Sequence, residues 1–165
     1  MQEHIQNELA SFIANCDWEK IAPHFKEDAA YRVLDWIGCA VAGEHYPQVE
    51  IAQKYFIENG DQGNSTVIGH QTKCSPRTAA FLNGIAGHVC ELDDGHRTAI
   101  GHPGSIAVPT ALALGEHLNA SGADVLKAVI LGYEVFSRLG RTVNPSHYRT
   151  WHTTGTCGTI AAAAA

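Results

Sequence analysis

The segment Glu91-Leu92-Asp93-Asp94-Gly95-His96, followed by Gly101-His102-Pro103-Gly104, places three carboxylates and two imidazoles within twelve residues. The glycines and the proline among them shape backbone rather than fill a core. Acids and histidines at this density are costly to bury unless they pair, bind a metal or act on a substrate. A second polar cluster, Trp151-His152-Thr153-Thr154-Gly155-Thr156, follows about fifty residues later. Together the two clusters suggest a site built from loops on a scaffold.

Three kinds of chemistry fit. His88, Glu91, Asp93, Asp94, His96 and His102 are of types that suit a hard or borderline divalent cation. Their spacing matches no closed ligand motif, so we expect no metal. A second reading leaves the acids solvated at a helix end, with His102 capping a turn. The third is general acid–base catalysis next to a substrate carboxylate, for which histidine is the fitting residue. His102 would be fixed in direction by Gly101 and by Pro103-Gly104. His152 precedes a helix N-terminus at Thr153-Thr154-Gly155-Thr156, where backbone N–H groups and hydroxyls hold a carboxylate. Gly155 would let that ligand approach the backbone. A purely structural role for His152 near the helix cap is the competing reading. Trp151 either walls the pocket or packs. His4, His24, His45, His70, His117 and His147 lack such context and read as surface; Trp18, Trp36 and Tyr133 read as core.

Helical periodicity dominates the elements that must position these groups. Ile5, Leu9, Phe12 and Ile13 form one apolar face. Asp28 is placed to cap a second helix, with Ala30, Val33, Leu34, Ile37 and Val41 on its face, ending near Gly43. Val49, Ala52, Tyr55 and Phe56 mark a third, ending at Asn59-Gly60. Ser65 to Ile68 reads as a small strand or extended loop. Ser75-Pro76 opens a helix that delivers Glu91, Asp93 and Asp94 at its C-terminal end, where the macrodipole disfavours acids. Ser105 to Leu118 is apolar nearly all round, as in a buried helix, with Pro109 in its first turns. Ser121-Gly122-Ala123-Asp124 resembles a capping box for a helix carrying Val125, Ala128, Val129, Gly132, Phe136 and Leu139. Arg141 to Arg149 reads as a polar loop, and a last helix starts near Thr154 to Thr156.

The chain has 165 residues, 45% hydrophobic and 17% charged, with a formal charge of −6. That is globular composition, enough for one domain with a real core. The eleven lysines and arginines are scattered, which disfavours nucleic-acid binding. Five cysteines without a CxxC pair read as free thiols of a cytoplasmic protein. The polar N-terminus has no basic n-region, and no apolar run is long enough for a membrane span. The final Ala161 to Ala165 run has no cap, and we expect a piece of a longer protein.

Four stretches, in this order, resemble the MmgE/PrpD family: Asn83-Gly84-Ile85-Ala86-Gly87-His88 leading into Glu91-Leu92-Asp93-Asp94; Gly101-His102-Pro103-Gly104; Gly132-Tyr133-Glu134-Val135; and His152-Thr153-Thr154-Gly155-Thr156 before an alanine-rich helix. The family includes 2-methylcitrate dehydratase, cis-aconitate decarboxylase and iminodisuccinate epimerase. The resemblance implies an all-α helical domain, of which residues 1–165 are the amino-terminal part, with a smaller α+β domain elsewhere and the pocket between them. It implies cofactor-free homodimers acting on a small-molecule carboxylate. His102 and His152 match the family's pocket histidines, and Asp93 and Asp94 its paired acids. In decarboxylase-like members the motif reads Asp-x-Asp-Asp-Thr, then His-Pro. Here Glu91 stands at the first acid, Gly95 at the threonine, and one extra residue precedes His102.

We therefore expect a lyase acting on a di- or tricarboxylate, of the 2-methylcitrate dehydratase kind, inactive as the 165-residue chain alone. His102, His152 and Asp93 are the catalytic candidates. Glu91, Asp94, His96, Thr153, Thr154 and Gly155 are the substrate-binding candidates. An epimerase or decarboxylase on the same scaffold, a metal-dependent helical hydrolase and a non-catalytic helical module remain as alternatives.

Overall fold

The computed structural model describes residues 5–70 and 73–165. His4 lies outside the described residues. Among them the chain is all-α apart from one short ribbon. Helix α1 spans Ile5–Ala14, α2 Pro23–Gly43, α3 Pro47–Glu58, α4 Pro76–His88, α5 Gly104–Leu118, α6 Gly122–Val143 and α7 Thr153–Ala164. Strands β1 (Ser65–Thr66) and β2 (Lys73–Cys74) pair antiparallel, Ser65 opposite Cys74.

The helix starts follow local chemistry. Pro23, Pro47 and Pro76 stand at the first positions of α2, α3 and α4, where the missing N–H costs nothing and φ is already helical. The Ser75 hydroxyl accepts from the Thr78 N–H at 3.4 Å, and Ser121 from Asp124 at 3.2 Å. Ser121 is the expected cap, and Ser75 caps the helix expected to open at Ser75-Pro76. Asp28 is not a cap: α2 begins at Pro23, and Asp28 instead accepts from Arg32 Nε at 2.6 Å, one turn along the helix. The proline signal at position 23 outranked the aspartate. The polar segment after α6 also starts later than expected, because α6 continues to Val143.

Helix α5 lies centrally and packs against α2, α4, α6 and α7. Its Val108 and Ala111 join Trp36, Ala40, Val49, Ala86 and Val129 in the main core. Val67, Cys74, Ala79, Leu82 and Ala113 form a second cluster beneath the ribbon. A third joins Ala99, Val135, Phe136, Cys157 and Ala161. It anchors the loop between α4 and α5, together with α7, onto α6. Phe136 is fully buried there, a burial of the kind that contributes about 1.5–3 kcal/mol. Ala99 is the loop's own plug, with no exposed surface.

Trp36 is buried as expected, while Trp18 and Tyr133 are half-buried. His24, His45 and His117 are exposed, and His70 and His147 half-buried. All five cysteines are free. Among the described residues no helix is long and apolar enough to cross a membrane.

Candidate active site

Helix α4 ends at His88, and the chain reverses through Glu91, whose φ of 49° lies in the left-handed region. The reversal carries Asp93 and Asp94 away from the negative end of α4 to the positive end of α5. The Gly104 N–H, first in α5, donates to Asp94 Oδ1 at 3.2 Å, and the Ser105 hydroxyl donates to Asp93 Oδ2. The expected conflict with a helix dipole is thus resolved in favour of the acids. Gly104 is obligatory in this arrangement. A Cβ there would stand 2.6 Å from Asp94 Oδ1 and 2.7 Å from the Tyr133 hydroxyl.

Asp93 is the centre of the site. Its side chain is 1% exposed, so its charge depends on partners. His88 Nδ1 lies 3.0 and 3.1 Å from its two carboxylate oxygens. His102 Nδ1 lies 3.4 Å from Oδ2, and the two imidazoles meet edge to face with centroids 4.8 Å apart. The His102 backbone is held from the other side, its N–H donating to Thr154 Oγ1 at 3.0 Å. Gly101 makes that approach possible, since a Cβ there would meet Phe136 Cζ at 2.7 Å.

Asp94 turns away from this pair. Arg32 Nη1 donates to Asp94 Oδ2 at 2.7 Å while its Nε holds Asp28. The Tyr133 ring lies 5.2 Å from the guanidinium. Burial, reinforced by the Asp94 charge, pushes the Tyr133 phenol far above its ordinary range. This network ties α2, α6 and the N-terminus of α5 to the loop.

Two cavities flank the loop. One, of about 540 Å³, lies between α4, α5 and α7 and is lined by His88, Ser105, Thr154 and Gly155 within an apolar wall. The other, of about 560 Å³, is lined by Arg32, Asp94, His96, Arg97 and Tyr133. The sequence candidates therefore divide. Asp93, His102 and Thr154 come together. Asp94 and His96 face the second cavity, and His96 Nδ1 already accepts from the Ala99 N–H at 3.1 Å. Glu91 is exposed on the turn. Thr153 is fully buried and accepts from Asn144 Nδ2 at 3.0 Å. Gly155 lines the first cavity, with nothing within 4 Å of the place a Cβ would take. The Gly155 and Thr156 N–H groups both donate to the His152 carbonyl, so those amides are engaged within α7. His152 is exposed, its ring 5.8 Å from that of Tyr148, and it shares no hydrogen bond with the Asp93 group.

The motif reading missed two partners of Asp93. His88 entered as one of several metal-ligand types and as the end of a family stretch, with no role of its own, and Ser105 only as a helix residue. Their signal was present: His88 is five residues before Asp93, close enough for a turn to bring them together. His88, Asp93 and His102 also offer donor atoms within 4.8 Å of one another, the group among the described residues able to hold a metal ion. In this geometry the Asp93 oxygens are already engaged by His88 and Ser105.

The MmgE/PrpD N-terminal domain matches residues 7–165 of the chain. A cis-aconitate decarboxylase-like protein of Aspergillus oryzae is 32% identical over 98% of the chain and 36% of its own length. The cis-aconitate decarboxylase of Aspergillus terreus is 32% identical over 94% of the chain and 32% of its own length. That of Homo sapiens is 33% identical over 79% and 29%. The chain spans about a third of the length of the curated relatives it matches. With a match over nearly its whole length and an all-α fold, the chain belongs to the MmgE/PrpD family and carries its N-terminal domain.

Proposed function

We propose that the natural protein is a lyase that acts on a small tricarboxylate by proton transfer from histidine. The observation that carries this reading is the buried Asp93 carboxylate, hydrogen-bonded to His88 and flanked by His102, beside a cavity. A carboxylate held this way orients and stabilises an imidazole that must gain and lose a proton. The decarboxylase names of the relatives favour loss of CO₂ as the reaction. In that step the bond to the departing carboxylate breaks, CO₂ leaves, and the electron pair stays on carbon, delocalised into the neighbouring unsaturated acid. An imidazolium N–H then gives that carbon its proton. An imidazole beside Asp93 gives this proton, and His102 and His152 take part in its transfer, His152 from the exposed rim of α7. The substrate's other carboxylates lie against Thr154 and Gly155.

A second reading, dehydration of a hydroxy-tricarboxylate, is favoured by Gly95. A Cβ at position 95 would stand 3.9 Å from His102 Cε1, so the threonine of the decarboxylase-like motif would touch the ring that this chain leaves bare. In either reading the protein is a homodimer without a cofactor. The exposed Tyr31, Leu34 and Val41 of α2 are apolar surface that a second copy or the rest of the natural chain would cover.

The test is turnover by the natural full-length protein of cis-aconitate, followed by CO₂ release, and of citrate and 2-methylcitrate, followed by formation of the double bond. CO₂ release supports the first reading and double-bond formation the second. Absence of both removes the lyase proposal.

A further inference from the structure

We propose that His88, to which no motif assigns a role, forms with Asp93 the proton-transferring pair of this site, with its Nε2 serving the cavity between α4, α5 and α7. The inference deepens the lyase reading and rests on it for the reaction, though not for the geometry. Both oxygens of Asp93 lie within 3.1 Å of His88 Nδ1, and the Ser105 hydroxyl takes Oδ2 as well. His102 Nδ1, at 3.4 Å from Oδ2, is buried and has no hydrogen-bond partner among the described residues. Of the two rings, His88 therefore holds the better claim on the carboxylate.

A buried carboxylate that accepts from one ring nitrogen fixes the tautomer: the proton sits on Nδ1 and the lone pair on Nε2. Nε2 is then the free nitrogen of a ring that is 32% exposed and lines the cavity of about 540 Å³. The rest of the wall is largely apolar, with Phe81, Ile85, Val89, Ile106 and Pro109. Low polarity strengthens the interaction that the imidazole contributes to a bound anion. Ser105, 5% exposed, donates to Oδ2, the oxygen nearest His102, and so helps fix the carboxylate in place. In decarboxylation the Nε2–H bond of the His88 imidazolium breaks and its proton passes to the carbon left by CO₂. The neutral ring regains a proton from solvent.

The experiment uses the natural full-length protein labelled with ¹⁵N at histidine. Multiple-bond ¹H–¹⁵N spectra identify the His88 tautomer without any substitution, and tricarballylate serves as an inert tricarboxylate probe. We expect the Nδ1–H form in the neutral ring and an Nε2 signal that moves when the probe is added. An Nε2–H tautomer, or an Nε2 signal that the probe leaves unmoved, overturns the proposal. In kinetics, His88→Gln should lower kcat by about 10²–10⁴-fold, and added imidazole should restore part of the activity of His88→Gly. A kcat for His88→Gln within about threefold of wild type overturns the proposal as well. Should the wild-type protein turn over no tricarboxylate, the lyase reading fails, and the tautomer and probe shift still decide His88.

Discussion

Replacing Asp93 by asparagine keeps the shape of the side chain and removes its charge. The carboxylate receives His88 Nδ1 at 3.0 and 3.1 Å and the Ser105 hydroxyl in a space where its side chain is 1% exposed. An asparagine can accept from one of these donors with its carbonyl, but its NH₂ group faces the other, so either a buried donor loses its acceptor or the His88 ring changes tautomer to accept from the NH₂. An unmatched buried donor costs about 1–3 kcal/mol. At about 2–4 °C per kcal/mol for a domain of this size, Tm should fall by roughly 2–12 °C. The larger effect is on catalysis. Without the carboxylate the His88 ring is free to carry its proton on the other nitrogen, and neither ring has an anion to stabilise its charged form. The equivalent change in a serine protease triad costs about 10⁴ in kcat, and we expect a loss of about 10²–10⁴ here. The assay is steady-state CO₂ release from cis-aconitate by the natural protein, beside thermal melts of both forms. A variant that melts lower but keeps kcat within about threefold of wild type would show that Asp93 is a structural residue, and the reasoning would fail.

Other consequences follow from the same contacts. Gly104→Ala should destabilise the protein by about 1–3 kcal/mol in chemical denaturation, because its Cβ would press on Asp94 and Tyr133. Gly95→Thr, which has room beside His102, should fold normally and raise the ratio of CO₂ release to dehydration; an unchanged product ratio would remove position 95 from the account. Glu116 accepts from the Thr66 hydroxyl at 2.7 Å and from the Thr66 N–H. Burial opposes its ionisation, but these hydrogen bonds and Lys73 win, and its folded-state pKa is lowered. Its contribution to stability is therefore present above the unfolded value of about 4.3 and is lost as pH falls through the lower folded one. The Tm gap between wild type and Glu116→Gln should close on acidification through that window. A gap constant with pH would contradict the assignment.

The helical frame was legible because its signals are local. Pro76 after Ser75 starts α4, and Ser121 three residues before Asp124 caps α6. Asp93 and His102 stood out because acid and imidazole are crowded among residues that bend the chain. What the sequence hid was direction. A left-handed Glu91 reverses the chain after α4, and nothing in the residue type announces it. That reversal makes His88, on α4, a partner of Asp93 and sends Asp94 to Arg32, which is 62 positions away along the chain. Thr153 and Thr154 look alike in sequence, yet one is sealed against Asn144 and the other clamps His102. Their difference is set by the packing of α7 on α6, a long-range fact. The motifs carried the family, whereas the pairing around Asp93 is set by the turn after α4 and the packing of α5 against it.

The central claim is that the Asp93 histidine site moves protons on a tricarboxylate. Its most direct test is steady-state turnover of cis-aconitate and of citrate by the natural protein and by His102→Gln, His152→Gln and His117→Gln. His117, exposed near the end of α5, is the control. The account predicts a loss of about 10²–10⁴ in kcat for the first two variants with melting temperatures nearly unchanged, and wild-type activity for the third. Wild-type kcat in both His102→Gln and His152→Gln, with only the melting temperatures lowered, would contradict it.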